Sequence, residues 1–203
     1  MRTAGMLFGM AGLLLSSTVC ASTEVGLSGM FGFGGEEKGK ADIAGWNLSG
    51  EADLDPTLGF GIWSDGDINR YLRIGGEARF LWWKLEPINQ TDTDRQLMMH
   101  FGPTIRLVFP LMRSLELFGR FAPGFSVAIP EDSGSSGVEV EAAFGFNIAG
   151  FGGLALRLNE DVGLLVEAGF LYHKVYGEIS SQLGDVDYNL SGAQFMLDAG
   201  LFF

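Results

Sequence analysis

The chain is short of several things at once, and each shortage closes off chemistry. Cysteine occurs once, as Cys20, histidine twice and proline six times in 203 residues. Cys20 lies in an N-terminal segment expected to be removed, so the mature chain has no disulfide and no thiol chemistry. It fits poorly as a lipidated cysteine, because Ser17 and Val19 stand where such a site has a leucine-like and a small residue. Basic residues are also few, 13 against 25 acidic ones, for a formal charge of −12. Such a chain is a poor ligand for nucleic acid. No P-loop, dinucleotide fingerprint or metal cluster is present; glycine pairs such as Gly32 and Gly34 read as strand glycines. Neither a cofactor nor a metal is therefore expected. Beyond the N-terminal segment no apolar run reaches the ~18 residues that a spanning helix needs. The longest, Ala142 to Leu156, is broken by Asn147 and four glycines.

Apolar residues nevertheless make up 47% of the sequence, with 31 glycines and 17 phenylalanines. That composition suits many short strands with tight turns and aromatic rims. At the N-terminus Arg2 precedes an apolar run from Met6 to Leu15, followed by Ser16, Ser17, Thr18 and then Val19-Cys20-Ala21. A charged start, a short apolar stretch and small residues before Ala21 predict a secretory signal peptide over residues 1–21. The mature domain is then 22–203, and losing Arg2 makes its charge −13.

The last stretch, YNLSGAQFMLDAGLFF, shows the organising pattern. Phe203, Leu201, Ala199, Leu197, Phe195 and Ala193 alternate with Phe202, Gly200, Asp198, Met196, Gln194 and Gly192. A period of two means a strand with different solvents on its two faces. The same alternation marks seven earlier strands, at Thr23 to Gly34, Thr57 to Trp63, Ile68 to Leu85, 97–109, 115–129, 138–156 and 164–173. Their connectors alternate in length: 35–56 then 64–67, 86–95 then 110–114, 130–137 then 159–161, and finally 177–187. Eight strands, an even number, let the first and last pair antiparallel and abolish the open edge. Long loops on one rim and tight turns on the other give a closed, antiparallel, up-and-down transmembrane β-barrel, all-β, with both termini on the short-turn, periplasmic side. Pro103 and Pro123 fall inside strands, where bulges or a shifted register are expected. The Asp55-Pro56 step hints that part of the first loop is an extra extended arm.

The two faces imply two solvents. The outward set is aliphatic or aromatic, and an Arg or Lys there would cost ~2–4 kcal/mol at the bilayer midplane. Trp82, Trp83, Tyr172, Tyr176 and Tyr188 near the long-loop ends, with Trp63 near a short turn, are expected to form two aromatic belts. The inward set is Arg73, Glu77, Arg79, His100, Arg106, Glu116, Arg120, Glu139, Glu141, Arg157, Glu167 and Asp198. An eight-stranded barrel is only wide enough for side chains or one small ligand, and buried charges must pair. A lumen plugged by an Arg–carboxylate network is expected, with a narrow water path as the alternative.

A signal peptide, eight alternating strands, long–short connectors, a polar interior and a terminal Phe203 together resemble the OmpA/OmpX-type small outer-membrane barrels across the whole mature chain. The resemblance implies the outer membrane of a Gram-negative bacterium as location. It implies outer-membrane lipid and lipopolysaccharide as surroundings, and a monomer. In that family the terminal aromatic strand, here Phe195, Leu197, Ala199, Leu201 and Phe203, resembles the signal read by the barrel-assembly machinery. No peptidoglycan-binding domain is expected after the barrel. The expected role is structural, or interaction with an extracellular ligand through the loops, with an apolar small-molecule conduit as a second possibility. The acidic first loop suits divalent cations, but a solvated loop is the expectation. Some barrels of this size modify lipid A, using a nucleophile and base at the lipid-facing rim. The histidine–serine pairing of the deacylases is missing beside His173, Ser180 and Ser181 have no defined geometry, and His100 reads as a network member, so no enzymatic activity is expected.

Overall fold

The computed structural model describes residues 23–43, 46–83, 96–130, 138–181 and 184–203; side chains at 42, 43, 46, 47, 130, 138–140, 180, 181, 184 and 185 are not described. The expected signal peptide and the loops 86–95 and 131–137 lie outside these residues. Ten strands are found among them: β1 (Thr23–Ile43), β2 (Trp46–Asp53), β3 (Thr57–Asn69), β4 (Leu72–Trp83), β5 (Gln96–Pro110), β6 (Leu115–Pro130), β7 (Val138–Val140), β8 (Ala143–Arg157), β9 (Gly163–Ser181) and β10 (Gly184–Phe202). Eight of them pair antiparallel in the order β10-β1-β3-β4-β5-β6-β8-β9, and β9 pairs back onto β10 to close the ring. Mutual bonds between Val25 and Phe203, 3.1 Å and 2.9 Å, tie the first strand to the last. Closure leaves no unpaired edge among these eight, which a strand wall in hydrocarbon requires.

The two remaining strands are extensions. β2 pairs with the outer half of β1, from Glu36↔Asp53 to Ile43↔Trp46, while β3 pairs with its inner half. The chain thus leaves the wall once, at residues 54–56, and resumes along the same neighbour. β7 continues β8 along β9 in the same way, Val138↔Ser181 to Val140↔Ile179. The expected extended arm near Asp55-Pro56 is therefore present, and most of 35–56 is strand rather than loop. Likewise β9 and β10 run through most of the expected loop at 177–187, pairing as far as Gly184↔Ser181. Both hairpins stand above the ring on the long-loop side.

The opposite rim carries three tight turns. The stretch 64–67, read as a turn from its composition, belongs to β3, and the chain reverses instead at Arg70 and Tyr71. Asn69 makes that possible, because its side-chain oxygen accepts from the Tyr71 N–H at 2.8 Å. Asn159 repeats the device at the β8–β9 turn, accepting from the N–H groups of Asp161 (2.9 Å) and Val162 (2.7 Å).

The prolines do not shift the register. Phe101↔Phe125 and Ile105↔Phe121 lie on one unbroken register, which sets Pro103 opposite Pro123. Pairing lapses only between β5 and β6 there, and continues on the far sides, at Gly76↔Pro103 and Pro123↔Ile148. Two residues without an N–H donor thus share one gap. The register breaks lie elsewhere, between Phe33 and Gly35 and between Asp67 and Asn69. Gly34 takes φ +58°, a left-handed conformation that glycine adopts freely.

Gly102 and Gly124 let β5 and β6 approach closely beside the prolines: a Cβ on Gly102 would lie 2.1 Å from the Pro123 carbonyl oxygen. Gly102→Ala should lower stability by ~1–3 kcal/mol in urea unfolding of the lipid-reconstituted barrel. Gly150→Ala, whose Cβ would meet open space, should leave it unchanged. Equal behaviour of the two variants would contradict this packing.

Candidate functional site: the charged lumen

Along each strand alternate residues point into the ring. Because the ring is narrow, side chains from opposite walls meet. The outward set is apolar and exposed: Phe125 at 74%, Phe170 at 65%, Leu58 at 61% and Val166 at 59%. A continuous apolar surface of this kind needs an apolar solvent. The inward set is buried and arranged in three levels.

At the short-turn end Arg73 reaches three strands, with Nη1 3.0 Å from Glu24, Nε 2.7 Å from Asp67 and Nη1 3.1 Å from Glu116. Arg157 closes on Glu24 from the other side. Arg106 pairs with Asp65 at 3.0 Å, and Thr104 donates to the same carboxylate at 2.6 Å. The Arg106 guanidinium also lies over the rings of Trp63 (4.2 Å) and Phe118 (4.8 Å).

At mid-height Arg79 and Arg120 stand among three carboxylates. Arg79 lies 2.8 Å from Glu77 and 3.9 Å from both Glu167 and Asp198. Arg120 lies 2.7 Å from Glu77, contacts Glu167 directly and is 3.7 Å from Asp198. Phe151 supplies an aromatic face to both guanidiniums, at 4.1 Å and 5.0 Å. These groups come from β4, β6, β8, β9 and β10, so the cluster spans the lumen from wall to wall.

Toward the long-loop end the interior becomes mostly apolar, with Leu81, Met98, Leu171, Val175 and Met196 fully buried. Within it Trp83 Nε1 donates to Glu37 at 2.9 Å, and Glu37 also lies 3.6 Å from His173 Nε2. His100 Nδ1 is 2.8 Å from Ser126 Oγ, and the two imidazole rings are 6.0 Å apart.

Of the residues expected inside, Arg73, Glu77, Arg79, His100, Arg106, Glu116, Arg120, Arg157, Glu167 and Asp198 face the lumen together. Glu141 does not: it is exposed at the junction between β7 and β8, where the strand is interrupted and its N–H bonds Glu178 instead. Glu139 lies outside the described side chains. The belt reading needs two corrections. Trp63 and Trp83, at 3% and 1% exposure, point inward, because Trp63 shares the parity of the buried Thr57, Gly61 and Asp65 on β3 and Trp83 that of Arg79 and Leu81 on β4. Trp82, Tyr172 and Tyr176 face outward; Tyr188 is half-buried at the mouth, with its ring over Gly177. Phe195, Leu197, Ala199, Leu201 and Phe203 all lie on the outer face.

Glu24, Glu37, Asp65 and Asp67 also meet partners in the lumen and stand outside the expected inward set. Parity along β1 could have found Glu24. Glu37 was hidden by the bulge at Gly34, which moves the inward positions from even to odd numbers.

This architecture, a closed antiparallel eight-stranded ring with an apolar exterior and a charged interior, is that of the small outer-membrane β-barrels. Solved structures of such proteins superpose on nearly the whole chain. The outer membrane protein OprG from Pseudomonas aeruginosa matches at TM-score 0.67 with 12% identity, over 91% of this chain and 97% of its own. Neisserial surface protein A matches at 0.51 with 16% identity, over 89% and 95%. A match to the outer membrane protease OmpT from Escherichia coli, at 0.45 and 10% identity, carries no weight on activity. No protein-family model matches the sequence, and no curated protein does. At these identities the likeness is one of fold.

Removing Arg120 would leave Glu77, Glu167 and Asp198 with one guanidinium between them. Arg120→Leu should cost about 3–5 kcal/mol in urea unfolding, and Glu167→Gln in the same chain should restore part of it. Arg157→Leu, at the wetter end, should cost no more than about 1 kcal/mol. Equal losses for Arg120→Leu and Arg157→Leu would show that the mid-lumen cluster is not a unit.

Proposed function

We propose that the chain is an integral outer-membrane barrel of a Gram-negative bacterium, exported by its N-terminal segment. In this reading it is closed to diffusion and acts structurally or through the hairpins on its long-loop rim. The observation that carries this is the wall-to-wall contact of Arg79 and Arg120 with carboxylates on β4, β9 and β10. Opening a water path would require separating buried charges from partners in a medium where unpaired charges are costly. The hairpins β1–β2 and β9–β10 favour a role in surface contact, since they carry paired backbone beyond the ring and expose Glu36, Lys38, Lys40, Glu51 and Asp53 on the first of them. Assembly through the barrel-assembly machinery by way of the last strand, and a monomeric state, belong to the same reading.

A second reading, a pocket for a small apolar molecule, draws support from one feature. The half of the lumen toward the long-loop end is lined by Leu81, Met98, Leu171, Val175 and Met196 beside Trp83. Lipid-modifying catalysis is not part of the proposal. His100, Ser126 and His173 are at most 1% exposed inside the ring, away from the lipid-facing rim where such chemistry acts.

The wild-type barrel, refolded into lipid vesicles, should show heat-modifiable gel migration and produce no current steps in a planar bilayer. Stable conductance would overturn the closed-lumen reading. Failure to fold into lipid would overturn the membrane assignment itself.

A further inference from the structure

The two histidines of the chain lie far apart in sequence, on β5 and β9, and the fold brings their rings together inside the lumen. His100 and His173 are both buried, with ring centres 6.0 Å apart and planes inclined by 33°. Neither imidazole has its bonding capacity filled. His100 Nδ1 meets the Ser126 hydroxyl at 2.8 Å, while its Nε2 has no hydrogen-bond partner. Both ring nitrogens of His173 lack one too. The nearest acceptor is Glu37, whose Oε1 lies 3.6 Å from His173 Nε2 and is itself unpartnered. Buried polar atoms left without partners call for an explanation, and a bound ion is one.

The surroundings narrow the choice of ion. Met98 is the inward neighbour of His100 along β5, and it shares one buried cluster with Met30 and Met196. The Trp83 ring stands edge-to-face against His173, 4.6 Å between ring centres. Facing the pair from the other strands are Glu37 on β1, Arg79 opposite His100 on β4, Ser126 opposite His100 on β6 and Asn147 opposite His173 on β8. Glu37 is the carboxylate beside the imidazoles; Arg79 is already taken by Glu77 at 2.8 Å. Among the described residues no three His, Cys, Asp or Glu side chains are grouped to hold a metal. A tetrahedral zinc site or an all-oxygen calcium site is therefore not what these residues build.

We infer that His100 and His173 form a binding site for one soft monovalent cation, Cu(I) or Ag(I), in the long-loop half of the lumen. Spacing is the first argument. A ligating imidazole nitrogen lies about 2 Å from its metal, so two imidazoles on one ion stand with ring centres roughly 6 Å apart, as these do. Orientation is the second. With Nδ1–H directed at Ser126, His100 keeps a lone pair on Nε2; with Nε2–H directed at Glu37, His173 keeps one on Nδ1. Outer partners of this kind fix the tautomer of ligating histidines. Softness and charge complete the case. Ions that accept two ligands in nearly linear array need no third histidine or carboxylate, and thioethers beside imidazoles suit the soft members of that group. Glu37 balances one positive charge, whereas a divalent ion would add an uncompensated charge near Arg79. The site goes beyond the surface role proposed above and depends on the ring alone, not on what the hairpins touch.

The test is native mass spectrometry of the mature barrel, residues 22–203, which carries no thiol, refolded in detergent and titrated with Ag(I) or Zn(II) in chloride-free buffer. Wild type should retain one Ag(I) and hold Zn(II) at least about tenfold more weakly. His100→Gln and His173→Gln should each weaken Ag(I) retention by at least about tenfold. Met112→Leu, which removes an exposed thioether at the opposite rim, should leave it unchanged. Heat-modifiable gel migration checks that each variant is folded. If a histidine variant does not fold, wild type carries the test: X-ray absorption of bound Cu(I) should show two nitrogen ligands at about 2 Å. No retained Ag(I), several equivalent ions, Zn(II) held as tightly, undiminished retention in either folded histidine variant, or a first shell without the nitrogen pair would each overturn the site. A barrel that folds into lipid but binds no Ag(I) would leave the membrane reading standing.

Discussion

Charge compensation inside a narrow ring is the constraint on which the rest of the structure depends. Arg79 and Arg120 sit among Glu77, Glu167 and Asp198, and none of these groups can satisfy itself on its own strand. Their partners lie on other walls, so the network works only if the ring is closed and the register is right. A slip of one residue on any strand would turn its charges into lipid and its phenylalanines into the lumen. The ionic core is therefore better understood as a device that specifies register than as a source of stability, since buried pairs roughly offset their own desolvation. The aromatic faces of Phe151, Trp63 and Phe118 against the guanidiniums serve the same end, filling the space between charges without adding groups that need partners.

Local irregularities refine this plan without breaking it. The bulge at Gly34 changes which residues of β1 face inward, and so brings Glu37 under Trp83 and beside His173. On the outer face the same step turns Glu36, Lys38 and Lys40 outward. One glycine thus governs both the cap of the lumen and the charged strip on the wall. The facing prolines illustrate economy of a different kind: two missing donors coincide at one gap instead of interrupting two separate ladders.

Much of this was legible in the chain alone, because period-two alternation needs no tertiary information. Eight strands, their closure, the lipid-facing set and the five lumen arginines all follow from alternation and from the cost of burying or exposing each residue type. Strand ends were less legible. Ser64-Asp65-Gly66-Asp67 has turn composition, yet Asp65 and Asp67 are there to meet Arg106 and Arg73. A polar run is ambiguous between a solvated turn and the inner face of a charged barrel, and only the partner across the lumen decides.

The sequence by itself determined the two-solvent wall, since alternation is a property of neighbouring residues. Tertiary structure alone decided which charges pair, and that Lys174 shares one stretch of outer wall with Lys38 and Lys40, 136 and 134 positions earlier in the chain. Those outcomes depend on register between strands distant in the chain, and register is set by the whole ring closing at once rather than by any segment of it.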